Sequence, residues 1–535
     1  MKTTTHSLHH TVRPAEESQY LVHPLRAALG FVAVALLLLL PLRSASTETE
    51  SQALDLDPRE PIGLNTEQEA LWELTLDHAR RLGLQNSLTL KRSELSPRIQ
   101  AASKTVAEAQ FDWILSADTR YTRGKDRSFG ERNHTQSWDN TLSIVRSFPT
   151  GTHVSSSLFY DKFERELTTG GQGVSDRAGL SIRVEQNLLR GLGLGPNLFS
   201  IELAELGLQL EESRFSQQKL ELLFAIDQAY WNLVFAHEDL GVTANSFALA
   251  REDLAITRSR RASGFATEIE VIAAEVRLAQ KEQEMIERQR FVRDRSDELL
   301  ELIAPQRLIE LLQDAQRQII VPIGYDTSVP PAAHDLDVRE ALSEALTSRE
   351  ELHQAGLQVD MAELTARQRE HELRPELNAV AGFTFGGGGT NTGDAFESLG
   401  RTDTVNWFLG LEFNVPLNNR AARGRHEEAQ LQRRQSDLDE QLTLVQVITD
   451  VLAAIREIRT TRQALETAVV AERLAERQVE ARTKMLAVGT ATRFELDSDR
   501  EDLDIARRNR RQAEVTLRIA LSRLELAKGT IGQER

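Results

Sequence analysis

The chain has 535 residues, no cysteine and a formal net charge of −17. Without cysteine there is no disulfide, no thiolate metal site, no cysteine nucleophile and no lipid-modified N-terminal cysteine. The acidity disfavours a nucleic-acid partner. Aromatic residues are scarce at 5%, while Ala, Leu, Glu, Gln and Arg abound, a mix that suits long helices with narrow seams.

Residues 1–46 read as an export signal. Ala27 to Leu42 is one apolar run, preceded by Arg13 and Arg26 and followed by Ser44-Ala45-Ser46. The run is short for a membrane helix, which needs about 20 residues, and Pro41 interrupts it. No other segment could be a transmembrane helix, so further membrane insertion would have to use strands. Residues 47–65 are polar, with Pro58 and Pro61, and are expected to be flexible. A helix is predicted from Thr66 to Gln110, opened by a Thr66-x-x-Glu69 capping box and broken near Asn86, Ser87 and Pro97.

Residues 112–187 change character. Four strands are predicted, near 113–121, 138–148, 152–162 and 177–186, with longer loops at 124–137 and 163–176 and a short turn at Phe148-Pro149-Thr150-Gly151. In the last strand Ala178, Leu180, Ile182 and Val184 take one face, and Arg177, Ser181, Arg183 and Glu185 take the other. This period of two marks a strand with one apolar and one wet face.

A helical pattern then runs from 198 to 263 and, after a turn, resumes to 303. Ile226, Tyr230, Leu233, Leu240, Ala244 and Phe247 recur at coiled-coil spacing, with His237 the polar member. Prolines punctuate the connection 304–336, and a helix is predicted over 337–373. Strands follow at 377–385 and 405–415, around a Gly-rich loop from Gly386 to Arg401. Long helices over 420–487 and up to Lys528 precede a tail, 529–535.

Residues 249–302 and 474–527 match without a gap. Gly264-Phe265-Ala266-Thr267 stands opposite Gly489-Thr490-Ala491-Thr492, and Arg293 and Leu299 stand opposite Arg518 and Leu524. The chain is thus a tandem of two units, 66–303 and 337–528, each carrying strands and then a helical hairpin. In an exported chain, strands with one apolar face imply a transmembrane barrel, and one chain offers too few strands to close a water-filled pore.

Gln186-Asn187-Leu188-Leu189-Arg190-Gly191, Val415-Pro416-Leu417-Asn418, Ala229-Tyr230-Trp231-Asn232-Leu233-Val234 and the two Gly-x-Ala-Thr turns together resemble TolC-like outer-membrane efflux proteins. The resemblance covers roughly 66–528, with Asn187 standing where the family usually has proline. It implies an α+β membrane protein: a trimeric transmembrane β-barrel continued by a long periplasmic α-helical coiled-coil barrel. It also implies a non-enzymatic exit duct without a cofactor, a homotrimer in the bacterial outer membrane. Its partners would be a periplasmic adaptor protein and an inner-membrane pump of the RND or ABC type. The family usually contributes four strands per chain, and six are counted here. The extra hairpin either joins an eighteen-stranded barrel or projects as an extracellular flap.

By position in the family, Ser263, Gly264, Phe265, Ala266 and Thr267, with Val488, Gly489, Thr490, Ala491 and Thr492, are the adaptor-contacting hairpin tips. Glu495 matches an acidic position that narrows the periplasmic mouth, and Asp499 shares its helix face. Three copies would present a ring of carboxylates that favours cations. The alternative for both carboxylates is a solvated face, since Asp497, Arg500, Glu501 and Asp502 surround them. The rival readings are a periplasmic adaptor, which would need one hairpin rather than two, and a structural coiled coil of the envelope. The scattered histidines have no ligand spacing, and Gly386 to Gly389 opens no helix after a parallel strand, so it is no phosphate loop.

Overall fold

The computed structural model describes residues 69–128, 131–167, 172–310, 317–326, 337–401 and 404–532. The expected export signal, the polar segment 47–65 and the Thr66 cap lie outside the described residues. In chain order, β1 (Glu69–Leu74), α1 (Leu76–Asn86) and α2 (Leu88–Glu108) come first. Next are β2 (Ile114–Ser128), β3 (Glu131–Ser147), β4 (Thr152–Leu167) and β5 (Gln172–Asn187). The first long hairpin is α3 (Leu194–Ala262) and α4 (Glu268–Ile303). A connection of α5 (Pro305–Glu310), β6 (Arg317–Pro322), α6 (Val338–Ser348) and α7 (Glu350–His371) leads to β7 (Glu376–Gly389), α8 (Thr392–Gly400) and β8 (Thr404–Asn414). The second long hairpin is α9 (Arg420–Ala487) and α10 (Arg493–Lys528).

Two compact units emerge, and each draws on both halves of the sequence. One holds the six-stranded sheet, from Thr105–Glu202 and Leu364–Ala429. The other is helical, from Leu56–Lys104, Leu203–Glu363 and Gln430–Arg535.

In the first unit six strands pair antiparallel in the order β2-β3-β4-β5-β7-β8. The register sorts side chains by chemistry. Ala117, Leu142, Leu158, Leu180, Phe385 and Val405 form one row across all six strands. The adjacent row, one residue along, is Ser116, Ser143, Ser157, Ser181, Thr384 and Asn406. Successive strand residues face opposite ways, so one face of the sheet is apolar and the other is polar. The β3–β4 hairpin is hydrogen-bonded between β2 and β5 along its length and is not a projecting flap. The strands also run further than the sequence suggested. Residues expected in long loops continue β2 through β5, because the apolar alternation ends before the backbone pairing does.

The expected Gly-rich loop is partly regular. β7 continues to Gly389, and α8 then packs on the apolar face. Ala395 of α8 is buried with Tyr160 and Ala178. Tyr160 donates to Asp176 Oδ2 at 2.8 Å and stacks on Phe396. Gly387 permits this approach, since a Cβ there would lie 2.3 Å from the Leu399 nitrogen.

In the helical unit the expected single helix 66–110 is corrected. Residues 69–74 form a strand paired in parallel with β6, drawn from the proline-punctuated connection. The break falls at Ser87, while Pro97 sits inside α2. The helix expected over 337–373 is two, α6 and α7. Tyr230, fully buried on α3, fixes the small sheet by donating to Leu74 O at 3.3 Å and Ile323 O at 3.1 Å. His237 Nε2 reaches Ile320 O at 3.0 Å, and Arg80 binds the fully buried Asp227 at 2.7 Å. Ile226, Leu233, Leu299, Ile303 and Ile320 fill the core around these bonds. A second core joins Val451, Ile455 and Ile458 of α9 to Leu517, Ala520 and Leu524 of α10.

Leu233→Ala and Ile458→Ala each leave a cavity at a fully buried site and are expected to cost about 2–5 kcal/mol. Thermal unfolding followed by helical circular dichroism checks this, with the exposed Leu417→Ala as the unchanged control.

Candidate functional site: the two hairpin tips

Both hairpins turn by the same device. Each first helix ends in a Schellman motif. Gly264 N donates to Arg261 O and Phe265 N to Arg260 O, at 2.9 and 2.8 Å. In the second copy Gly489 N donates to Leu486 O and Thr490 N to Met485 O, at 3.1 and 2.9 Å. Gly264 and Gly489 have φ of 76°, the left-handed region this motif needs. Thr267 and Thr492 then cap the following helices, accepting from Glu270 N and Glu495 N. Only Thr492 has the full capping box, because the Glu495 side chain also accepts from Thr492 N at 2.8 Å.

The tips expose apolar side chains. Phe265 and Ile269 are 75% and 78% exposed at the first tip, and Val488 and Phe494 are 74% and 78% exposed at the second. Ser263 and Thr490 are exposed beside them, with Ala266 and Ala491 half-buried. The ten sequence-predicted tip residues thus make up the two turns, each turn adjoined by an exposed apolar pair.

The two gate candidates differ. Asp499 is buried and engaged within its own hairpin, where Gln478 and Arg482 of α9 donate to it at 2.6 and 2.7 Å. Glu495 stays half-exposed, in its capping box, 3.7 Å from Arg482. Arg482 thus touches both carboxylates, so the shared helix face is real but already occupied. The hydrogen bond from Arg482 holds the Asp499 carboxyl below its usual range. The Thr492 backbone N–H does the same for Glu495.

Sequence reasoning missed Arg482. The available signal was geometry: residues equidistant from a hairpin turn face each other, and 482 and 499 flank the turn symmetrically. It also missed a cluster tying the second tip to the first hairpin. Arg493 binds Asp253 and donates to Thr257 at 3.1 Å. Arg277 reaches Asp253 at 3.2 Å and Asp497 at 2.6 Å. Burial pushes the Asp497 carboxyl up, against the pull of Arg277.

Because their folded values are depressed, Asp499 and Glu495 support the tip at neutral pH. That support is lost as pH falls through those values, below the ordinary carboxylate range. Arg482→Ala is expected to speed hydrogen exchange at the second tip at neutral pH and to move its acid sensitivity upward. Exchange identical to the parent would show that the Arg482 contact does not hold the tip.

Residues 341–530 match the family model "Outer membrane efflux protein". That family consists of outer-membrane transport ducts, which are not enzymes. A search among curated proteins finds no match. Among solved structures, the CmeC outer membrane channel of Campylobacter jejuni is similar at 14% identity and a TM-score of 0.61, covering 86% of this chain and 87% of that one. The outer membrane protein VceC of Vibrio cholerae is similar at 15% identity and 0.60, over 85% of this chain and 96% of that one. The open-state MtrE channel of Neisseria gonorrhoeae is similar at 14% identity and 0.59, over 85% and 88%. Residues 341–530 thus match the model of the outer membrane efflux protein family, and the chain shares the fold of these solved outer-membrane channels.

Proposed function

We propose that this chain is the outer-membrane exit duct of a tripartite efflux or secretion system. Three copies set their strands as one barrel in the outer membrane and their helical hairpins in the periplasm. The duct conducts passively, taking substrate from an inner-membrane RND or ABC-type pump through a periplasmic adaptor to the exterior. The observation that carries this reading is the sheet. An apolar row and a hydroxyl-rich row alternate across six strands. Such a sheet suits lipid on one side and water on the other. No helix among the described residues is long and apolar enough to cross a membrane, so the strands are the part suited to insertion.

The hairpin tips are the adaptor contact in this reading. Their exposed apolar side chains, Phe265, Ile269, Val488 and Phe494, flank turns of small residues that let another hairpin come close. Of the gate candidates, Glu495 is the one with a carboxylate at the surface, and Asp499 acts by holding Arg482.

Purified trimer in planar bilayers is expected to conduct ions, and a well-folded trimer that forms no pore would overturn the duct. Leu409→Arg on the apolar face is expected to cost about 2–4 kcal/mol of membrane-folded stability if it sits near the bilayer midplane. Urea titration in lipid vesicles measures that cost. In the same bilayers Glu495→Ala is expected to weaken cation preference, while Asp499→Asn mainly alters gating by releasing Arg482. Unchanged selectivity in Glu495→Ala would remove that residue from the mouth.

A further inference from the structure

We propose that the β3–β4 hairpin is membrane wall, so that six strands from each of three copies make an eighteen-stranded barrel whose lumen carries a charged belt contributed by that hairpin. The inference rests on the trimeric duct reading and specifies its wall.

Three observations support it. First, the hairpin sits inside the sheet, and its backbone groups are paired on both sides, with β2 and with β5. It contributes to both rows in step with its neighbours: Leu142 and Leu158 on the apolar face, Ser143 and Ser157 on the polar face. A hairpin outside the wall has no reason to continue both rows.

Second, the sheet ends in two open edges. β2 and β8 each have one hydrogen-bonded neighbour. Six antiparallel strands are an even number, so β2 and β8 run in opposite directions. Placing β2 of one copy beside β8 of the next therefore continues the antiparallel order. The side chains agree. Trp407, Leu409, Leu411 and Phe413 of β8 are exposed on the apolar face, in register with the lipid-suited residues of β7. Open strand edges in hydrocarbon are not tolerated, and ring closure by second and third copies pairs every one.

Third, the polar face is charged near mid-strand. Arg120, Asp139, Asp161 and Arg177 are register partners across β2, β3, β4 and β5. The two acids belong to the β3–β4 hairpin and lie between the two arginines. In a closed ring this row repeats three times on the inner wall. A barrel of this strand number leaves an aqueous channel.

The chain has no cysteine, so single-cysteine probes need no background removal. Trimer in lipid vesicles would be labelled with a membrane-impermeant maleimide at successive positions of the hairpin. Labelling is expected at Thr141→Cys, Ser143→Cys, Ser155→Cys and Ser157→Cys, and lost at Leu142→Cys, Ile144→Cys and Leu158→Cys. Uniform labelling on a conducting trimer would overturn the eighteen-stranded wall and leave the duct standing. Asp139→Asn with Asp161→Asn is the second readout. It is expected to shift the cation-to-anion permeability ratio toward anions, and an unchanged ratio would remove the belt from the lumen. A pair of water-facing probes at the two edges, Glu412→Cys with Ser116→Cys or Asp118→Cys, is expected to oxidise to a covalent trimer. Absence of both trimer and conductance would instead defeat the duct reading itself.

Discussion

The helical unit depends on seams that combine an apolar stripe with ion pairs, both within the hairpins and between them. Within each hairpin an apolar seam is flanked by ion pairs such as Arg277–Asp253 and Arg510–Glu472. Leu254 packs with Val271 and Ala274 in the first, and Val451, Ile455 and Ile458 pack with Leu517, Ala520 and Leu524 in the second. Between the hairpins, where α3 meets α10, Val515 and Ile519 join the core built on α3, and ionic or polar contacts flank them. Asp253 pairs with Arg493, Ser246 with Asp504, Asp239 with Arg508 and Glu238 with Arg511. Arg518 over Trp231 and Arg523 over Phe224 extend this series as cation–π contacts. Apolar burial contributes about 25 cal/mol per Å², and Asp239, with 1% of its side chain exposed, is paired with Arg508 of the second hairpin and Arg288 of its own. The two hairpins are therefore held to each other by apolar packing as well as by ion pairs.

The sheet obeys a different constraint. Among the described residues no opposing layer covers most of its apolar face, and α8 covers the patch around Tyr160 and Ala178. Elsewhere that face presents Phe383, Trp407, Leu409 and Phe413 outward. A water-soluble sheet with one apolar face would pack it against a second layer. Here a solvent must do that work, which is why the fold and the membrane reading belong together.

The elements legible in the sequence were those whose side chains meet two solvents or one long seam. β5, β7 and β8 show clean alternation because lipid-suited and water-suited residues interleave. α3 shows coiled-coil spacing because Ile226, Tyr230 and Leu233 lie on one buried stripe. What escaped was structure held by distant or local backbone bonds. Glu69-Ala70-Leu71-Trp72-Glu73-Leu74 has helix-favouring composition, yet it is a strand because Arg317–Pro322, remote in sequence, offers a parallel partner. α8 hid behind four glycines, of which Gly387 and Gly389 let that helix lie close to β7. At the tips, the turn and caps were legible from Gly-x-Ala-Thr, while the occupancy of Asp499 was not, since its partners come from across the turn.

The repeat makes the last point sharper. The two copies are offset so that Thr257 stands opposite Arg482 and Ala274 opposite Asp499. Both members of the Arg482–Asp499 pair are thus missing together from the first hairpin, where Ala274 is buried in an apolar cluster. Thr257 has been turned to another use, accepting from Arg493 of the second hairpin. Loss of one member alone would leave a buried, unpaired charge, which is costly, so a paired difference is what electrostatics requires. The consequence is asymmetry at the tips. The second tip closes through an arginine with two carboxylates, and the first through apolar packing, the Arg258–Glu275 and Arg277–Asp253 pairs and its bonds to the second. Arg482 thus acts within the second hairpin, while Arg493 and Arg277 tie the two tips together through Asp253 and Asp497.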